Sequence, residues 1–281
     1  MKKLDNFQIE QFSTCPRKFY YRVHKGYTTK HRGAALGFGV TLHEGLREWY
    51  TSKNFDLACD AMKAVWQDTV EDDYRTFARA VAVLEEYTRY YDSELLKIVH
   101  NDDNHPMLEI TFQVDTGRGF IYTGIFDGLM TINGEYFVFE HKTTSQLGAQ
   151  YFRQYKPNGQ VTGYMWAASR IFGKPVVSAM INAIGVLKTQ TKLDRHITTR
   201  TPEETDEWLD NVCAVHDEIV RCETADEWPQ RTVNCIGKYG ACEFHDICAL
   251  SSPENRARLL DQDYVIEPWD PEHRDKITEK V

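Results

Sequence analysis

The stretch GIFDGLMTINGEYFVFEHKTTS, residues 124–145, lies within two apolar-rich runs, 120–132 and 135–143, that are separated only by Asn133 and Gly134. Asn-Gly between such runs predicts a two-residue hairpin, because a type I′ turn needs positive φ at both central positions and these residues tolerate it. With that turn at the tip, Ile132 faces Glu135, and counting outward sets Asp127 opposite Glu140. Opposed residues share a face with Cβ atoms roughly 4.5–5.5 Å apart, where two bare carboxylates repel one another. Lys142, two residues beyond Glu140, points to the same face, since side chains alternate along a strand. Apolar residues occupy both faces, Ile125, Leu129 and Val138 on one and Phe126, Met130, Phe137 and Phe139 on the other. The hairpin is therefore expected to be covered on both sides.

Two acids and a lysine in a sheltered place suit a hard divalent cation, because Mg²⁺ or Mn²⁺ takes carboxylate oxygens and water. The lysine would then hold or deprotonate a water beside the ion. A Glu140–Lys142 ion pair, with Asp127 at a strand end, accounts for the same residues without chemistry.

Asp127, a hairpin and then Glu140-His141-Lys142 resembles the PD-(D/E)XK nuclease superfamily, whose core hairpin carries that Asp and the E-x-K. Phe126 stands where the motif's Pro is usual. The resemblance implies an α/β fold with a restriction-endonuclease-like core, a mixed central sheet flanked by helices. It extends to the RecB-like group through two further elements. Residues 36–50 predict an amphipathic helix from Val40, Leu42, Leu46 and Trp49. His43 on its apolar side would ordinarily be a core residue, but Gly39 and His43 resemble the group's G-x-x-x-H element, which implies a metal ligand. Asn158 predicts the cap of a helix ending before Gly173, with Gln160 and Tyr164 at i and i+4 on one face. This Q-x-x-x-Y after the E-x-K resembles the group's additional motif and implies that both residues line the DNA. The implied catalytic residues are Lys142, Asp127 and Glu140. The implied ligands of Mg²⁺ or Mn²⁺ are His43, Asp127, Glu140 and the main-chain carbonyl of His141, and an imidazole ligand favours Mn²⁺.

Around Cys15-Pro16, basic residues (Arg17, Lys18, Arg22, Lys25) interleave with aromatics (Phe19, Tyr20, Tyr21, Tyr27). Alternating cations and rings suit a nucleic-acid single strand, with Arg17, Lys18 and Tyr20 as DNA contacts. A helix with an aromatic core side and a solvated basic side fits equally. Cys235, Cys242 and Cys248 fall within fourteen residues but lack the paired C-x₂₋₄-C knuckles of common zinc folds. The resemblance to RecB-like CRISPR-associated and helicase-coupled nucleases, and to phage members, implies that Cys15 joins them to hold a [4Fe–4S] cluster. That cluster would fasten the N- and C-terminal segments. Cys59, Cys213 and Cys222 are expected to pack within helices.

The chain has 281 residues, 42% of them hydrophobic, a net charge of -9 and seven cysteines. That charge argues against an architectural DNA binder, which holds duplex by positive charge. The odd cysteine count argues against a disulfide framework. No run of 18 apolar residues occurs, and the start lacks an apolar signal core, so a cytoplasmic protein without a membrane partner is expected. One RecB-like nuclease domain over 1–281 is expected. Its segments are an N-terminal piece (1–35), a helical insertion (51–105), the nuclease core (106–190), a C-terminal helix and cysteine loop (201–250) and an acidic tail (251–281). Within them, helices are expected near 55–70 and 74–99, strands at 108–115 and 175–187, and a capping box at Thr201-Pro202-Glu203-Glu204. Glu109 lies on a polar side of its strand, and a minor place near the metal is open to it. The implied activity is a metal-dependent DNA exonuclease on single strands or DNA ends. The alternatives are a structure-selective endonuclease of the same fold and a non-catalytic iron–sulfur DNA-binding or assembly subunit. DNA is the expected partner, with room for a recombination, replication or CRISPR-type protein.

Overall fold

The computed structural model describes residues 1–30, 33–66, 69–101, 103–237, 240–250 and 252–271. In chain order the elements are β1 (Lys2–Leu4), α1 (Asn6–Thr14), α2 (Pro16–Phe19) and β2 (Tyr27–Thr29), followed by α3 (Ala34–Ser52), α4 (Phe55–Val65) and α5 (Phe77–Tyr90). Next come β3 (Lys97–Ile98), β4 (Leu108–Asp115), β5 (Phe120–Ile132), β6 (Glu135–Thr144), α6 (Gly159–Phe172), β7 (Ser178–Val186) and β8 (Thr191–Thr199). The chain closes with α7 (Pro202–Ala225), a ribbon of β9 (Ile236–Gly237) and β10 (Gly240–Ala241), α8 (His245–Ala249), α9 (Pro253–Asp263) and β11 (Tyr264–Ile266). These elements form two compact units. One draws its described residues from the segments Arg32–Phe112 and Ile125–Asp206, the other from Met1–His31, Gln113–Gly124 and Glu207–Ile277.

In the first unit the expected hairpin forms. Asn133 and Gly134 have φ of 51° and 86°, the left-handed values a type I′ turn needs. The strands pair from Ile132↔Glu135 to Gly128↔Phe139. That register is the expected one, but the ladder stops one pair short of Asp127 and Glu140. β6 then pairs in parallel with β7, and β7 antiparallel with β8, so the sheet is mixed. Alternation along β6 sends successive residues to different helices. Lys142 meets Gln160 of α6, while the His141 ring lies beside Tyr50 of α3 and Tyr87 of α5. Helices on both sides of a mixed sheet are the expected α/β core, and α4 and α5 lie in the stretch 51–105.

The main core joins Phe38, Leu42 and Leu46 of α3 and Val83, Leu84 and Tyr87 of α5 to Met130, Phe139, Met180 and Ile184 of the sheet. Burying side chains of this size contributes about 1.5–3 kcal/mol each. The caps follow the residues that favour them. Asn158 Oδ1 accepts the Val161 amide and Gly173 closes α6 at φ 62°, while Thr201 and Glu204 form a reciprocal box at α7. The insertion helices are shorter than their apolar pattern suggested. α4 ends at Val65, and the chain returns to the sheet at β3, where Ile98 pairs with Met130.

The second unit combines most of the long helix α7 with short helices and strands. β1 runs parallel to the start of β5, and Asp5 and Gln8 form a capping box on α1. β2 pairs with β11, so the described part of the acidic tail returns onto this unit. Ser251 and residues 272–281 lie outside the described residues. Tyr21, Phe244, Ile247, Leu260 and Tyr264 form one of its hydrophobic clusters. Among the described residues, no helix is long and apolar enough to cross a membrane.

Candidate active site

The strands β5 and β6 separate where the ladder stops because Asp127 turns its side chain between them. Its Oδ2 accepts the main-chain N–H of His141 at 2.7 Å. Asp127 is thereby fixed with Oδ1 free to face α3. Gly39 lets that helix come close: a Cβ there would stand 3.2 Å from Thr143 Oγ1 on β6. One turn further on, His43 Nδ1 lies 3.4 Å from Asp127 Oδ1 and 3.7 Å from Glu109 Oε1. The spacing G-x-x-x-H thus has a physical meaning, a close approach followed by a histidine on the same face.

The donor atoms of His43, Glu109 and Asp127 all lie within 4.8 Å of one another, a spacing that a single cation could bridge. Sequence reasoning centred the metal set on His43, Asp127 and Glu140 and gave Glu109 a minor place, and the structure corrects the emphasis. Glu109 sits in β4 with φ of 49°, a left-handed conformation that a non-glycine residue adopts at a cost of about 1–3 kcal/mol. This backbone twist breaks the strand's alternation. A pattern of alternating side chains carries no sign of it, which is why the sequence gives Glu109 only a minor place.

Glu140 stands on the other flank of Asp127, 2% exposed. Its Oε1 accepts from Lys142 Nζ at 2.6 Å, and the same Nζ donates to Gln160 Oε1 at 3.0 Å. Its second oxygen, Oε2, is buried with no hydrogen-bond partner. Burying a charged oxygen without a partner is costly, so the donor set fits a cation brought to it.

The electrostatics agree. Burial, with the Asp127 charge adding to it, pushes Glu140 up to about 7, against the pull of Lys142. Burial and then Asp127 also push Glu109 up, His43 opposing. Burial works against charge at Asp127 too, yet His43 holds that carboxyl well below the usual range. Burial alone would lower His43, but Asp127 and then Glu109 raise it to about 10. Without metal, a protonated imidazole fills the place of a cation between two carboxylates.

Tyr164 is a correction. It is 1% exposed, its ring packed edge-on against Phe112 and Phe126, so it does not line a DNA path. Its hydroxyl accepts from Gln160 Nε2 at 3.3 Å, which orients the amide that holds Lys142. Gln160 is half-buried and faces the site.

The expected single-strand contacts are also engaged elsewhere, within the second unit. Arg17 Nε donates to the Trp228 carbonyl at 2.7 Å, and Lys18 pairs with Glu243 at 3.5 Å. Tyr20 packs on Tyr21, His24 and Trp228. Of the two readings open to that segment, the structure favours the helix with an aromatic packing side.

Those contacts frame a second constellation. Cys15, Cys235, Cys242 and Cys248, with Lys18 and His245, line a cavity of about 210 Å³. The segments meet through Arg17 N–H to the Pro229 carbonyl at 3.2 Å and Asn234 Nδ2 to the Thr14 carbonyl at 2.7 Å. N–H groups point at the sulfurs: the Arg231 amide reaches Cys15 Sγ at 3.4 Å, the Phe244 amide serves Cys242 and Gln230 serves Cys248. Burial pushes the Cys242 and Cys248 thiols up, so thiolates there require a cationic partner. Cys222 is buried in α7, and Cys59 and Cys213 are half-buried on α4 and α7.

The family model of the PD-(D/E)XK nuclease superfamily matches residues 7–249. No curated protein matches. Among solved structures, the chain is similar to a "Putative exonuclease" from Eubacterium rectale, with 14% identity, 90% of each chain covered and a TM-score of 0.57, a likeness of fold. The crystal structure of SSO0001 aligns at 14% identity over 65% of this chain and 73% of that one, with a TM-score of 0.33.

Proposed function

Because the chain belongs to the PD-(D/E)XK nuclease superfamily, we propose that it is a divalent-metal-dependent deoxyribonuclease working from DNA ends, as an exonuclease. One observation carries the metal-dependent part: Glu140 Oε2 is buried without a partner beside Asp127 and Lys142. The exonuclease part is supported by the name borne by the similar Eubacterium rectale protein. Single-stranded ends are the substrate to try first.

His43, Asp127, Glu140 and the His141 carbonyl would hold Mg²⁺ or Mn²⁺, with Glu109 joining them through its contact with His43. The bound ion supplies Lewis-acid polarisation of the phosphate and a lowered pKa for an attacking water. Lys142, held between Glu140 and Gln160, positions that water or meets the charge that develops on the phosphate. The His141 N–H keeps Asp127 from rotating away. Histidine among the ligands favours Mn²⁺.

The four cysteines would hold a [4Fe–4S] cluster whose role is to fasten the terminal segments. They ring a cavity rather than converge. Thiolates receiving N–H bonds around a larger centre suit iron–sulfur ligation.

The test is cleavage of DNA labelled at either end, single- and double-stranded, with Mn²⁺, Mg²⁺ or EDTA, for wild type and Lys142→Ala. Metal-dependent loss of one end label first, absent in the variant, supports the proposal. Cleavage of circular DNA would redirect it to an endonuclease. Binding without cleavage under every metal would leave a cluster-bearing DNA-binding subunit.

A further inference from the structure

His141, Asn182 and Arg195 are register partners on three adjacent strands, β6, β7 and β8. Partners across neighbouring strands share a face, about 4.8 Å apart, so the three side chains form one row through the sheet. Asn182 Nδ2 lies 2.6 Å from His141 Nδ1, and Arg195 Nε donates to Asn182 Oδ1 at 2.9 Å. Arg195 ends the row in a cage. Its guanidinium donates to Glu94, to Tyr50 Oη at 3.0 Å and to Tyr87 Oη at 2.8 Å, and lies over the Tyr91 ring at 3.6 Å.

The direction of every bond follows from the one group that can only donate. A guanidinium has no acceptor, so Asn182 must present its oxygen to Arg195 and its NH₂ to His141. The His141 Nδ1 must then be bare, with the ring proton on Nε2. Asn182 is 0% exposed and His141 3%, so neither bond can be exchanged for water.

A structural ion pair would be complete with Arg195 and Glu94. Here the chain continues to the residue whose main-chain N–H holds Asp127 at 2.7 Å and which stands between Glu140 and Lys142. Its other end grips Tyr50, which lies on α3 together with His43. We infer that Asn182 and Arg195 are positioning residues, which clamp the His141 ring and so fix the peptide that orients Asp127 and presents the His141 carbonyl to the cation. The inference rests on the metal reading of the site given under Proposed function. Neither residue touches the ion or the DNA; both act through His141.

The test measures Mn²⁺ binding by electron paramagnetic resonance on folded protein without DNA, alongside the Mn²⁺ dependence and KM of cleavage. Asn182→Ala is expected to weaken Mn²⁺ binding about 10- to 100-fold, the usual consequence of removing an outer-sphere partner, and to leave the KM for DNA unchanged. Arg195→Lys keeps the charge but cannot serve Asn182, Glu94 and both tyrosines at once. It should shift Mn²⁺ binding in the same direction, and it decides the matter if the alanine variant does not fold. Folded variants with lower melting temperatures but wild-type Mn²⁺ affinity would make the row purely structural and overturn the inference. Wild type that binds no Mn²⁺ would overturn the metal reading and this inference together, which separates the two failures.

Discussion

The carboxylate site and the cysteine cavity are built by opposite routes. Asp127, Glu140 and Lys142 come from one hairpin whose turn and alternation set their places before any distant contact forms, and helices α3 and α6 then add His43 and Gln160. The cysteine cavity is lined from short elements and the turns between them, with Lys18 on α2 and Cys248 on α8. Cys15 meets its surroundings through partners such as Arg231, 216 residues away in sequence. A site held by strand geometry can exist without its ion, at the cost of a buried carboxylate oxygen. A ring of cysteines drawn from segments far apart in sequence depends far more on the centre that would draw it together.

That contrast can be broken most directly at Lys142. Lys142→Ala should lower cleavage by about 10²–10⁴-fold, the range for a positioned proton-transfer or charge-stabilising group, while visible absorbance stays near wild type. A parallel loss of colour would mean that the two sites are not independent. Cys248→Ser should do the reverse, bleaching the protein and lowering its thermal stability while Mn²⁺ still binds the folded hairpin. Colourless wild type purified without oxygen would remove the cluster from the comparison.

Glu109→Gln should weaken Mn²⁺ binding by about 10- to 100-fold with little change in the melting temperature of the metal-free protein; unchanged binding would return Glu109 to a merely structural place. His43 tests whether the carboxylate site supports itself without metal. Its folded pKa of about 10 lies above the ordinary value near 6.5. The stabilisation from its pairing is therefore complete below about pH 6.5 and is lost as pH rises through about 10. Melting temperature in EDTA should fall across that window in wild type and less in His43→Gln. The smallest effect is expected at Tyr164. Tyr164→Phe removes a buried hydroxyl that supports Gln160 and should cost about 1 kcal/mol, with cleavage reduced only a few-fold.

Much of the carboxylate site was legible because its determinants are local. Asn133-Gly134 forced the turn, and the turn with period-two alternation placed Asp127, Glu140 and Lys142 together. Asn158, Gly173 and the Thr201 box marked helix ends by groups that satisfy nearby backbone. The reading went astray where a residue's partners lie far off in sequence. Tyr164 was placed by motif order, yet its neighbours Phe112 and Phe126 claim its ring. Arg17, Lys18 and Tyr20 looked like a free basic and aromatic face because Trp228 and Glu243, which occupy them, come some two hundred residues later.

By itself, then, the sequence determined the hairpin, its register and the acid–acid–lysine set, since turn chemistry and side-chain alternation act over a few residues. Tertiary structure alone decided that Asp127 would part the strands, that Glu109 would adopt a left-handed backbone to reach His43, and that Arg195 would be bound to His141 through Asn182. Each of these depends on long-range packing, whose closure no local pattern encodes, and on the need of buried polar groups for partners wherever the fold brings them.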